Sequence, residues 1–77
     1  MNNARRKKLD EIQAEISELV SKLQEVLDEE QEVRDNVPEN LEFTDRTEQM
    51  DEFIDIMQTQ VDTLEEAQQE LEQIANS

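Results

Sequence analysis

Arg34-Asp35-Asn36-Val37-Pro38-Glu39-Asn40-Leu41-Glu42-Phe43-Thr44 is the one stretch of this chain where a helical rhythm stops. It holds the only proline of 77 residues that include no glycine. Proline has no N–H to give a helix interior, and it biases the residue before it toward extended geometry. Two asparagines stand near it, and Thr44 or Asp45 is placed to cap a following helix, Asp45 with Glu48 in capping-box spacing. The stretch therefore reads as a turn between two helices. Leu41 and Phe43 are expected to fold back over the end of the hairpin, unless they stand exposed as apolar loop residues often do.

Upstream of the turn, apolar residues fall at Leu9, Ile12, Ile16, Leu19, Leu23, Val26 and Val33, alternating three and four, with Glu30 where one more is due. This is a heptad seam, with Leu9, Ile16, Leu23 and Glu30 in one column and Ile12, Leu19, Val26 and Val33 in the other. Val20 and Leu27 widen it on one flank. Glu30 in the seam snorkels outward, pairs with Arg34 one turn on, or lowers stability to fix register. Downstream, Met50, Ile54, Met57, Val61, Leu64, Gln68, Leu71 and Ala75 repeat the alternation, and Phe53, Ala67 and Ile74 extend it sideways. Methionine, alanine and glutamine make this second seam softer.

Folding about the turn gives an antiparallel hairpin in which facing residues have numbers summing to about 83, each arm of about 30 residues running roughly 45 Å. Val33 then meets Met50, Val26 meets Met57, Leu23 meets Val61, Leu19 meets Leu64, Ile16 meets Ala67 and Gln68, Ile12 meets Leu71, and Leu9 meets Ile74. The expected fold is all-α, a long coiled-coil-like hairpin in one domain, with a helix over about 4–35, a turn over about 36–43 and a helix over about 44–75. Two helices alone leave the flanks of their stripes wet. Val20, Leu27, Phe53, Ile54 and Ile74 are expected to form an oligomer seam, either dimerising the hairpin into a four-helix bundle or pairing it with helices of another protein.

Size supports self-association. A chain of 77 residues rarely assembles a core worth more than roughly 3–5 kcal/mol without disulfides, metal or oligomerisation, and with no cysteine the first is closed to it. Hydrophobic content is 34% and net charge −15, values that raise the prospect of disorder, but the two seams argue against it. No apolar run approaches the roughly 18 residues of a membrane span, and the basic start is followed by acids instead of a signal core. The expected location is cytoplasmic, without membrane contact.

Charge is the informative feature. Four of seven bases form the run Arg5-Arg6-Lys7-Lys8, so residues 10–77 set three bases against all 22 acids. One reading is that acids and glutamines are good helix formers that keep a small bundle soluble. The other is mimicry of nucleic acid: duplex DNA carries about 26 charges over 45 Å, one hairpin body carries 19 acids in excess, and a side-by-side dimer doubles that. On this reading Asp28, Glu29, Glu32, Glu65 and Glu66 form an acidic face for a protein with a basic surface. Direct nucleic-acid binding by the basic run is not expected, because no aromatic residue stands beside it and the acidic body repels phosphate. The run is expected to pair with Asp10 and Glu11, or with Glu70 and Glu72 of the other arm.

Histidine and cysteine, the usual general base and thiolate ligand, are both absent. Carboxylate pairs such as Asp51 with Asp55 or Glu66 with Glu70 arise by chance in so acidic a chain. A di-metal bundle site needs Glu-x-x-His motifs and an EF-hand loop needs glycine. No catalytic, cofactor-binding or metal-binding residue is assigned, and no enzyme activity or small-molecule substrate is expected.

Arg34-Asp35-Asn36-Val37-Pro38-Glu39-Asn40-Leu41, followed by Arg46 and Glu48, resembles small acidic helical-hairpin proteins of Gram-positive bacteria and their phages and prophages. The resemblance covers nearly the whole chain, and its specific element is the Asp-Asn-x-Pro-Glu-Asn-Leu turn. Thr44 and Thr47 stand where such proteins often carry serine and an aromatic residue. It implies a helical hairpin and a mobile-element origin, and it brings no activity and no functional residues. The expected function is a non-enzymatic, self-associating interaction module, in its sharper form a phage-encoded inhibitor of a basic DNA-binding or defence protein. The competing expectation is a structural or assembly adaptor whose apolar seam binds a helical partner.

Overall fold

In a computed structural model describing all 77 residues, the chain is an antiparallel pair of helices, α1 over Asn3–Asp35 and α2 over Asp45–Ala75, joined through a single 3₁₀ turn at Glu39–Leu41. The molecule is a rod of 60 × 15 × 13 Å. Both arms are built of good helix formers with no internal glycine or proline. Each is capped by a side chain. Asn2 Oδ1 accepts from the Arg5 N–H at 2.9 Å at the head of α1, and Arg34 in its last turn suits the negative end of the helix dipole.

Of the two caps that the sequence offers at the head of α2, Thr44 and Asp45, the helix uses Thr44, and its capping box is closed by Thr47 in place of the Asp45 and Glu48 pair. The Thr47 N–H donates to Thr44 Oγ1 at 3.3 Å and the Thr44 N–H to Thr47 Oγ1 at 3.0 Å. Thr47 Oγ1 also lies 2.5 Å from the Glu42 carbonyl and 2.9 Å from that of Thr44, so its one proton ties the helix back to the turn. Threonine prevails over aspartate because Thr47 is buried, and its methyl group can enter the hairpin while its hydroxyl serves the main chain. Leu41 and Phe43 do not fold back over the turn. Leu41 stays half exposed and Phe43 is 93% exposed.

The arms lie in the register that the sequence predicts. Gln68 Nε2 donates to the Gln13 carbonyl at 3.1 Å and also bonds the Ser17 hydroxyl. Arg34 Nε meets Asp51 Oδ1 at 2.8 Å, and Arg6 Nη2 donates to the main-chain oxygen of Ser77 at 2.6 Å. The last contact corrects the expectation for the basic run: Arg6 closes the open end on a main-chain oxygen, and no base of the run makes an ion pair with an acid. Glu30 does not take Arg34 either. Arg34 reaches across to Asp51, whose hydrogen bond and charge push the guanidinium pKa up despite partial desolvation.

The rotation of α1 differs from the expected one. Its inward row is Leu9, Gln13, Ile16, Val20, Leu23, Leu27, Glu30 and Arg34, all buried or half-buried, whereas Ile12, Leu19, Val26 and Val33 are 42–53% exposed. Leu27, expected on the outer flank, is among the most buried side chains, and Val20 turns inward with it. The inward row of α2 is the expected one, with Thr47 added: Thr47, Met50, Ile54, Met57, Val61, Leu64, Gln68, Leu71 and Ala75.

Matching of the flanks accounts for the rotation. In an antiparallel pair, the column just before the first seam position of one helix lies beside the same column of the other, and the columns just after the second position pair likewise. With α1 as observed, Asp10, Ser17, Gln24 and Gln31 lie beside Glu72, Glu65, Gln58 and Asp51, polar against polar. Ile12, Leu19, Val26 and Val33 lie beside Ile74, Ala67, Gln60 and Phe53. The expected rotation would have set Val20 against Glu65 and Leu27 against Gln58, and Lys8 and Glu29 against Ile74 and Phe53. Each of these apolar side chains would then have shared its water-excluding contact with a charged or polar group.

Candidate protein-interaction surface

The exposed apolar flank is the surface that the folded chain leaves incomplete. It consists of four cross-helix rungs, Ile12 with Ile74, Leu19 with Ala67, Val26 with Gln60 and Val33 with Phe53, successive rungs lying one heptad apart, about 10 Å. Ile56, half exposed on α2, widens it near the turn. Of the expected oligomer seam, Phe53 and Ile74 belong to this flank and are about half exposed, Ile54 is half-buried in the inward row, and Val20 and Leu27 are inside the hairpin. Sequence reading missed Ile12, Leu19, Val26 and Val33 as surface residues, having placed them in the intramolecular core.

The flank runs on into an open cleft of about 410 Å³ at the turn, lined among others by Val33, Val37, Pro38, Leu41, Arg46 and Met50. Arg46 continues the α2 flank column one heptad before Phe53, so the cleft carries an apolar floor and a cationic rim. Phe43 projects beside it into solvent.

Polar character dominates the remaining faces. Asp28, Glu29, Glu32, Glu65 and Glu66 are all exposed, but they do not form one patch. The register sets Glu65 and Glu66 level with residues 17–18 of α1, about 15 Å along the axis from Asp28. Two acidic clusters on different helices result. Asp28, Asp35 and Asp62 accept hydrogen bonds from Gln24, Gln31 and Gln58 one turn before them, at 2.9, 2.9 and 3.2 Å, which holds these carboxylates upright without neutralising them. Of 22 acids, Asp51 alone is in an ion pair. No three carboxylates converge at metal-binding distance, and no helix is long and apolar enough to cross a membrane.

Compared with protein-family models, with curated proteins and with solved structures, the chain matches none.

Proposed function

We propose that the protein is a non-enzymatic helical interaction module that functions by closing its apolar flank against other helices. The observation that carries this reading is the segregation of the two flanks: one side of the hairpin is polar along both arms, the other is apolar along both arms except at Gln60 and open to water. A monomeric protein rarely leaves such a continuous apolar strip exposed. Half-burying six or seven aliphatic and aromatic side chains stabilises a complex by about 1 kcal/mol each, on the scale of the roughly 4–15 kcal/mol that association costs. Acidic faces then point outward from the assembly. Substituting Leu19→Glu and Val26→Glu tests the reading: captured helical partners, including the chain itself, should be lost, and their retention at wild-type level would contradict it.

A second reading is favoured by the nearly complete absence of neutralising partners for the acids. In it the assembled rod presents its carboxylates to a basic, nucleic-acid-binding or defence protein as a phage-encoded or prophage-encoded inhibitor, and the turn's resemblance to acidic phage-associated hairpins supports such an origin. Affinity would then fall steeply with salt, and charge reversal at Asp28, Glu29, Glu32, Glu65 and Glu66 would abolish binding. Binding that survives both would exclude charge mimicry.

A further inference from the structure

The occupant of the apolar flank follows from area and from the distribution of charge along the rod. A compact monomer of 9.1 kDa exposes about 4,900 Å², whereas this chain exposes 6013 Å². The excess, about 1,100 Å², is close to the roughly 800 Å² that each partner contributes to a standard specific interface. A flank two helices wide along a 60 Å rod is thus the right size to take one further hairpin.

Charge selects which hairpin and which way round. Residues 28–52, around the turn, hold eleven acids and two bases, while residues 1–10 and 70–77, at the open end, hold four bases and three acids. The rod is strongly acidic at one end and slightly basic at the other. Two copies laid with both turns at the same end would set the acidic ends against each other. With one copy reversed, each open end meets a turn. Arg5 lies on the same column as Ile12, one heptad earlier, and so borders the flank with Lys8 close by.

We propose that the flank is closed by a second copy of this chain, related by a two-fold axis that crosses the rod at its middle and sets each turn beside the other's open end. This rests on the reading of the flank as an interface. Centring the axis on the four rungs sets Ile12 against the partner's Val33 and Leu19 against the partner's Val26. On α2, Phe53 lies against the partner's Ile74, and Gln60 against the partner's Ala67. Arg5 and Lys8 come beside the partner's Glu39 and the partner's Glu42 in the turn. Branched residues meet branched residues, the largest side chain meets an isoleucine, and the basic run acquires the acidic counterpart that it lacks within its own chain.

The chain has no cysteine, so a spin label at Asn40→Cys, in the turn, reports the arrangement by dipolar spectroscopy at about 100 µM protein. Two labels each about 26 Å from the axis should give a single distance near 50 Å. A distance below about 25 Å would mean that the turns lie together and would overturn the reversed arrangement. Absence of any dipolar signal would overturn the second copy as occupant while leaving the flank open to a different helix. Adding Leu19→Glu to the labelled chain separates the two ideas: loss of the 50 Å distance with helix content retained is the expected result, and its persistence would refute the flank as the interface.

Discussion

Leu27 and Val26 are neighbours in sequence and opposites in environment: Leu27 is 6% exposed inside the hairpin and Val26 is 52% exposed on its flank. One residue's rotation, about 100°, separates the core from the surface that the fold leaves open. Leu27→Ala should therefore lower stability by about 2–3 kcal/mol through lost burial and a residual cavity, at every protein concentration. Val26→Ala should lower the melting temperature only at concentrations where chains associate, because its remaining burial comes from the complex. Thermal melts by circular dichroism across a hundredfold range of concentration distinguish these outcomes. Equal, concentration-independent losses in both variants would place both side chains in the core.

Thr47 is a second point where one side chain fixes local structure. It is buried, accepts from Thr44 and donates into the turn. Thr47→Val keeps the shape and removes the hydroxyl, so it should cost about 2 kcal/mol and lower the melting temperature by roughly 10 °C. A change below about 2 °C would mean that the cap does not anchor the turn.

Gln13 occupies the inward row, and its Nε2 is buried without a hydrogen-bond partner. Its carbonyl, not its side chain, receives Gln68. Gln13→Leu should accordingly stabilise the protein by about 1–2 kcal/mol, by removing an unsatisfied polar group and adding apolar contact. Denaturant titration should show the midpoint rising with unchanged slope. A fall in the midpoint would show that the Gln13 amide is engaged.

The turn, the two helices and their register were legible in the sequence because each rests on local or one-dimensional signals. Pro38 interrupts the helix, the heptad alternation fixes its period, and nearly equal arms fix which residues lie level. The rotation of α1 was not legible in the same way. Three of its columns carry apolar residues, represented by Ile16, Leu19 and Val20, so two adjacent pairs of columns offer a seam, and the more apolar pair, the one with Leu19, is not the one the fold buries. The choice between them depends on what lies beside each flank on α2, a comparison between distant segments: Phe53 and Ile74 on one side, Gln58 and Glu65 on the other. Phe43 stayed open between burial and exposure for a related reason, since its exposure depends on whether the end of the hairpin offers a surface to cover.

Salt separates the two roles of charge. A chain at −15 repels itself, so raising sodium chloride from 10 to 500 mM should raise the melting temperature and strengthen self-association. Attraction to a basic protein should weaken over the same range. A melting temperature that falls with salt would show that ion pairs, and not the apolar flank, hold the assembly together.

The most direct measurement is sedimentation equilibrium of the wild-type chain and of Leu19→Glu at about 100 µM in moderate salt, with Leu19→Lys as a second variant of opposite charge. Because Leu19 is half exposed in the folded chain, both variants should keep their helix content by circular dichroism. The account predicts a wild type at twice the 9.1 kDa chain mass and both variants at the chain mass itself. A monomeric wild type, or variants that remain dimeric while fully helical, would contradict it.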